Sequence, residues 1–166
     1  MDDDSFREFI GVRLDPLRRT AYLMSGDWHA ADDVVSTAVT KIYQDWRRIS
    51  QMENLDAYVR RTLVNTWLME RRRPWRRERS VPDLPPVAGQ RADDQMVNDR
   101  LSLLKHLVAL PPRQRAVVVL RFYCDLSVEQ TAQVLDCSTG TVKSQAARAL
   151  VTLRAAMIDV PDLVEG

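Results

Sequence analysis

Ten arginines fall between positions 47 and 79 against four acids, a local charge of +6. Guanidinium groups at that density are the electrostatic footprint of a phosphate backbone. A solvated helix face has the same composition, so the run needs a second signal beside it. Tyr58 and Trp67 are interleaved with these arginines. Aromatic rings so placed can stack on the unpaired bases of a single strand. They can equally fill a core, and Tyr58, at helical spacing from Leu55, Val59 and Leu63, reads that way. Asn65 differs: its amide both donates to and accepts from a base edge, and helix propensity gives no reason for it there.

The second set of residues begins at Ser127. Ser127-Val128-Glu129-Gln130 has the form of a capping box, in which serine satisfies the N3 amide and Gln130 reaches back. A short helix follows, with Val128, Ala132 and Leu135 inward and Ala132 small enough for a close crossing. Asp136-Cys137-Ser138 makes a turn, and Ser138 caps a long helix from Thr139. Val142, ten residues after Ala132, is spaced so that two crossed helices share one small core. The pattern reads as a helix-turn-helix whose second helix enters a major groove. Its exposed positions are Thr139, Thr141, Lys143, Ser144, Gln145 and Arg148. Lysine and arginine donate to guanine O6 and N7, and glutamine pairs with adenine. A polar outer face on an ordinary packing helix is the competing reading. Leu150, Leu153 and Met157 continue an apolar stripe into the core.

Nothing in the chain points to catalysis or to a cofactor. Cys137 and Cys124 have no neighbour at metal-ligand spacing, so both read as small buried fillers and no metal site is expected. His29 and His106 lie in different units without an acid or nucleophile nearby. Asp32 and Asp33 are adjacent on a helix, about 100° apart, and do not share a site. There is no glycine-rich phosphate loop. Two cysteines in 166 residues exclude a disulfide framework and suit a reducing cytoplasm. No run reaches the roughly 18 apolar residues of a membrane span, and the acidic start Met1-Asp2-Asp3-Asp4 is not a secretory signal.

Helical elements must position these groups. Helical periodicity dominates, and with only 5 glycines the chain is poorly suited to a loop-rich β fold. Ser5 is expected to cap a first helix burying Phe6, Phe9, Ile10 and Leu14. Asp15-Pro16 reads as the N-cap and first residue of a second helix through Met24. Ser25-Gly26-Asp27 closes that helix and opens a third, running to about Trp46 with Val35, Ala38, Val39, Ile42 and Trp46 inward. Asn54 caps a fourth from Leu55 to about Arg73, stopped by Pro74. Ser80 to Gln90 carries Pro82, Pro85, Pro86 and Gly89 and reads as a linker. Helices resume near Asp94, break at Leu110-Pro111-Pro112, and continue from Arg113 to Cys124. The expected fold is all-α: two small helical domains, 1–79 and 97–160, each with a modest core, on a flexible linker at 80–96. The helix-turn-helix lies in the second.

Charge is segregated along this plan. The whole chain balances 24 basic against 23 acidic side chains, net +1. Residues 1–46 hold 5 basic and 9 acidic groups, net −4, just ahead of the arginine-rich +6. An acidic helical face suits a protein partner and the arginines suit DNA.

Several stretches together resemble one family. They are Ala21-Tyr22-Leu23 with Gly26-Asp27-Trp28, Ala57-Tyr58-Val59-Arg60-Arg61 into Leu63-Val64-Asn65-Thr66, and Arg71-Arg72-Arg73. In the second half they are Leu110-Pro111 with Arg113-Gln114-Arg115, Leu120-Arg121, Leu126-Ser127, and Gly140-Thr141-Val142-Lys143-Ser144 through Arg148-Ala149-Leu150. In this order, over residues 6–156, the chain resembles a bacterial extracytoplasmic-function (ECF) sigma factor of the sigma-70 family, nearest in flavour to those of actinobacteria.

The resemblance implies a division of labour. The first domain would bind the β′ clamp helices of core RNA polymerase and read and open the −10 promoter element as single strand. The second would sit on the β flap and read the −35 element as duplex. Asp32, Asp33, Ser36 and Asp45 would face polymerase. Arg48, in the loop from Arg47 to Asn54, would act with Arg61, Asn65, Thr66, Arg71, Arg72 and Arg73 at −10. Thr139, Thr141, Lys143, Ser144, Gln145 and Arg148 would act at −35. An anti-sigma factor is the family's common control. Three positions depart from the pattern: Ser36-Thr37 replaces Gln-Glu, Asp136 replaces the turn glycine, and Gln145 replaces a recognition-helix arginine. The competing function is a free-standing helix-turn-helix regulator, which would not need the arginine-aromatic helix of the first half.

Overall fold

The computed structural model of the chain describes residues 3–72 and 94–158, except the side chains of 94–99 and 158. The regular elements among these residues are all helical. They are α1 (Asp3–Gly11), α2 (Leu14–Ser25), α3 (Trp28–Gln44), α4 (Trp46–Ile49), α5 (Leu55–Arg71), α6 (Asp94–Ala109), α7 (Pro112–Val118), a π-helical turn (Val119–Tyr123), α8 (Val128–Leu135) and α9 (Thr139–Ile158). Pro74 and the proline-bearing stretch 80–90 lie outside the described residues.

Local chemistry sets most of the helix ends. Gly26 turns left-handed at φ 76° after α2, a conformation that costs glycine little. The Asp27 carboxylate then accepts from the His29 amide at 2.9 Å and opens α3. Asn54 accepts from the Ala57 amide at 3.4 Å and opens α5. Before α8 both halves of the capping box are present: the Gln130 amide donates to Ser127 Oγ at 3.0 Å, and the Ser127 amide to Gln130 Oε1 at 2.9 Å. Such a cap contributes about 1 kcal/mol.

Four expected ends are displaced. Ser5 lies inside α1, which starts at Asp3, and its hydroxyl instead accepts from the Trp46 indole N–H at 3.0 Å. Helix α2 begins at Leu14, before the Asp15-Pro16 pair, with no side-chain cap at Arg13. The third helix stops at Gln44, and Asp45 separates it from the short α4 that carries Trp46. The helix expected from Arg113 to Cys124 is α-helical only to Val118. It then widens, the Cys124 amide donating to the Val119 carbonyl at 2.9 Å.

Helix α3 packs between α2 and α5, burying Ala31, Val34, Ala38 and Ile42 from one side and Leu63, Val64 and Trp67 from the other. Full burial of the Val, Ile and Leu side chains among these contributes about 1.5–3 kcal/mol each. The two helical domains do not stand apart: their apolar interiors join along the face where the halves meet. The apolar cluster runs without a break from Phe6 and Met24 through Leu107, Leu120, Val134 and Leu153. A small satellite of Val117, Ala132 and Val142 holds the helix-turn-helix together, and the Ala132–Val142 pairing is the one its spacing predicts.

Candidate nucleic-acid interface

Helix α5 presents one face to solvent and one to the core. Arg61, Asn65 and Arg72 are exposed, and Arg61 and Asn65, four apart, share a face. Val59, Leu63, Val64 and Trp67 are buried opposite them. Arg71 is also exposed, its guanidinium carbon 5.5 Å from the centre of the Trp67 ring. Arg48 stands exposed on α4, 3.3 Å from the Asp45 carboxylate. Arg73 lies outside the described residues.

Thr66 does not join this face. It is 1% exposed, and its hydroxyl donates to the Thr62 carbonyl at 2.7 Å. Its neighbour Asn65 points out because the helix turns about 100° per residue, which sends Thr66 inward. The aromatic residues are likewise committed. Trp67 is buried, and the half-buried Tyr58 donates its hydroxyl to Asp45 at 3.0 Å.

On the helix-turn-helix the geometry matches its pattern closely. Asp136 adopts the left-handed turn at φ 53°, ψ 52°, a conformation aspartate visits more readily than most residues. Ser138 Oγ accepts from the Thr141 amide at 3.1 Å and opens α9. Thr139, Thr141, Lys143, Ser144 and Arg148 are exposed and Gln145 is half-buried, while Val142 is fully buried. Thr131 and Val134 also fill the interior of this unit, though their spacing does not single them out. The Thr131 hydroxyl donates to the Ser127 carbonyl at 2.8 Å, which removes the cost of burying it.

The acidic set divides. Asp32, Asp33 and Ser36 are exposed on α3, with Asp32 held by Arg18 at 2.6 Å. The Arg18 guanidinium also lies over the Trp28 ring, itself stacked on Tyr22 at 4.0 Å. Asp45 sits apart at the C-terminal end of α3, turned back onto Tyr58 and Arg48. At the next departure, Thr37 is half-buried and donates to Glu70 of α5 at 3.4 Å.

One buried cation is not evident from sequence patterns. Arg115 is 6% exposed and donates to the carbonyls of Met24 and Val108, both at 2.6 Å, and of Leu110 at 2.9 Å. Burial, with Arg71 nearby, pushes its guanidinium down to about 10. A faint signal exists: Arg115 immediately precedes the buried Ala116 and Val117, a charge at the edge of an apolar run.

No group of three histidine, cysteine, aspartate or glutamate side chains among the described residues is placed to hold a metal ion. No helix among them is long and apolar enough to cross a membrane.

Residues 11–77 match the family profile for Sigma-70 region 2, and residues 100–153 match that for Sigma-70, region 4. The chain is 38% identical to an RNA polymerase sigma-E factor of Streptomyces avermitilis over 153 residues, covering 90% of this chain and 83% of that one. It is 36% identical to the RNA polymerase sigma-E factor of Streptomyces coelicolor, covering 92% and 86%. Among solved structures it resembles the sigma factor RpoE of Bartonella quintana, crystallised with the anti-sigma factor NepR. The TM-score is 0.73 at 23% identity, over 95% of this chain and 98% of the other.

Proposed function

Since the chain belongs to the sigma-70 family, in its extracytoplasmic-function group, we infer that it is a promoter-specificity subunit of RNA polymerase. It binds core RNA polymerase and directs promoter-specific initiation through the −10 and −35 elements. The observation that carries this is the presence of both matches in one chain and in order, 11–77 and 100–153, with the helix-turn-helix inside the second. A free-standing regulator would need only that second half.

We assign residues 1–79 to polymerase binding and −10 opening, 80–96 to a connection, and 97–160 to −35 reading. On α5 and α4 the exposed Arg48, Arg61, Asn65, Arg71 and Arg72 are the proposed −10 contacts, with Arg73 after them. Thr66 belongs instead to the packing of α5. On α9 the proposed readers are Thr139, Thr141, Lys143, Ser144 and Arg148, with Gln145 at their margin. Asp32, Asp33 and Ser36 form the proposed polymerase face, and Asp45 serves α3 and α5 structurally. Unstacking promoter bases costs a few kcal/mol each, which arginine contacts to the single strand must offset.

The role is specificity rather than catalysis, exercised in the cytoplasm beside polymerase. Anti-sigma control is part of the proposal; it is supported by the sigma factor of similar fold that was crystallised with such a partner. Size-exclusion of the chain with purified core polymerase tests the first step. Comigration in a one-to-one complex is expected. A chain that never comigrates with core contradicts the assignment.

A further inference from the structure

Between α2, α5 and the π-helical turn lies a groove of about 300 Å³, at the small end of the range for sites that hold a small molecule. Its floor is aliphatic: Leu17 of α2, Val59, Leu63 and Val64 of α5, and Leu120 of the turn are all buried. The turn makes part of the wall. There the Cys124 amide donates to the Val119 carbonyl five residues back, and Leu120, Tyr123 and Cys124 all line the groove. Helices widened in this way recur at functional sites.

Charge in the groove is unbalanced. Its three charged lining residues are Arg13, Asp56 and Arg60. Arg13 is engaged by Asp56 at 3.0 Å and by the Phe9 carbonyl at 2.8 Å. Arg60 is half-buried and has neither an ion pair nor a hydrogen bond among the described residues. The acidic group nearest in chemistry is the Cys124 thiol, which meets the Thr20 hydroxyl at 3.7 Å. Burial pushes that thiol up, against the smaller pulls of the Thr20 hydroxyl and of Arg60. It therefore stays protonated at neutral pH and gives Arg60 no counter-charge. Taking a cation partly out of water without an anion costs free energy, which a bound carboxylate would offset.

We propose that the groove binds a small monocarboxylate with an apolar body, its carboxylate on the Arg60 guanidinium and its body on the aliphatic floor. Arg13 and Asp56 cancel, so one positive charge remains for one anionic group. A dianion would bring a second charge toward Asp56 with no free cation to meet it. An ammonium would face Arg60 directly. At about 30 Å³ for each water-sized volume, the groove takes a molecule of about ten non-hydrogen atoms. The planar guanidinium fork matches both carboxylate oxygens at once. None of the proposed DNA or polymerase contacts lines the groove, so this site stands or falls apart from the promoter role.

Octanoate, an acid of that size, is the probe, added to the full chain at neutral pH. The two cysteines report where it sits: Cys124 lines the groove, and Cys137 follows α8 in the helix-turn-helix, outside it. Alkylation by iodoacetamide, read by mass spectrometry, should slow about ten-fold at Cys124 near saturation and be unchanged at Cys137. A dissociation constant of about 1 mM or lower is expected for a ligand of this size. Octanol has the same chain without the charge and should protect Cys124 far less, a comparison that needs no substitution. Arg60→Met keeps an apolar stem and removes the guanidinium. It should weaken octanoate about ten-fold or more and leave octanol unaffected, with far-UV circular dichroism confirming the fold. Unchanged alkylation of Cys124 at high octanoate overturns the proposal. Equal protection of both cysteines does so too, because it marks a coating of the whole surface. Octanol or octylamine protecting as well as octanoate, or a folded Arg60→Met chain binding octanoate like wild type, overturns the role of the charge and the proposal with it.

Discussion

Arg115, near the start of α7, donates to the carbonyl oxygen of Met24 in the last turn of α2, 2.6 Å away and 91 positions earlier in the chain. This one bond satisfies an orphan carbonyl at the end of α2 with a cation, the charge that a helix C-terminus favours. It also ties the first half of the molecule to the second.

Arg115→Ala should therefore lower stability by about 2–4 kcal/mol, since charge-assisted bonds to three carbonyls are lost at once. Arg115→Lys should fall between wild type and alanine, because one ammonium cannot serve three acceptors in the guanidinium geometry. Urea unfolding monitored by tryptophan fluorescence measures both. With a folded value of about 10, below the ordinary guanidinium range, burial of this cation costs stability at every pH below about 10. That cost is relieved only above about pH 10, as the folded chain releases the proton first. The wild-type minus alanine difference should then be flat from about pH 6 to 9, and a slope there would contradict the assignment.

Gly26→Ala should be destabilising by about 2–4 kcal/mol. Part is the left-handed backbone, at about 1–2 kcal/mol for a residue with a Cβ, and part is overpacking against Val108. The pair Gly26→Ala, Val108→Ala separates the two terms. The double variant should cost less than the sum of the singles, because only the steric part is shared.

How far the sequence can be read depends on the range of each interaction. The Ser127–Gln130 box, the Asp27 cap and the left-handed Asp136 are set by groups within three residues, and each stands where its pattern places it. The Ser5 hydroxyl follows the same local rule in principle, but Trp46, 41 residues away, claims it. Asn65 and Thr66 are adjacent in the family's motif, yet the helix sends one outward and the other into the core. Arg115 leaves only a faint local trace, a charge at the edge of an apolar run. Its bond to Met24 joins separate halves of the chain, and no periodicity encodes which halves meet.

Lys143→Ala and Arg148→Ala should each weaken binding of the polymerase complex to a −35 duplex by about 1–3 kcal/mol where the contact is to a base edge. Binding to core polymerase should be unchanged, as both side chains are exposed on α9, far in sequence from the acidic face of α3. Fluorescence anisotropy with duplex, alongside core titration, separates the two. Loss of core affinity in both variants would move α9 from the DNA side to the polymerase side.

Arg71→Ala with Arg72→Ala should flatten the salt dependence of promoter binding by about 0.7–0.9 slope units for each phosphate contact removed. Filter binding across a range of salt gives the slope directly. An unchanged slope would return these arginines to the role of a solvated face.

The near-neutral +1 of the whole chain is a cancellation between an acidic first stretch and the arginine-rich segment after it. With so little net charge, the isolated chain is expected to bind DNA weakly and polymerase to supply much of the grip.

Run-off transcription with purified core polymerase on a broad promoter library bears most directly on the proposed role. Added chain should produce discrete transcripts from a subset of promoters sharing −10 and −35 elements, and core alone should not. If no promoter in the library is ever initiated, the chain is not a specificity subunit and the assignment of both DNA-reading surfaces falls with it.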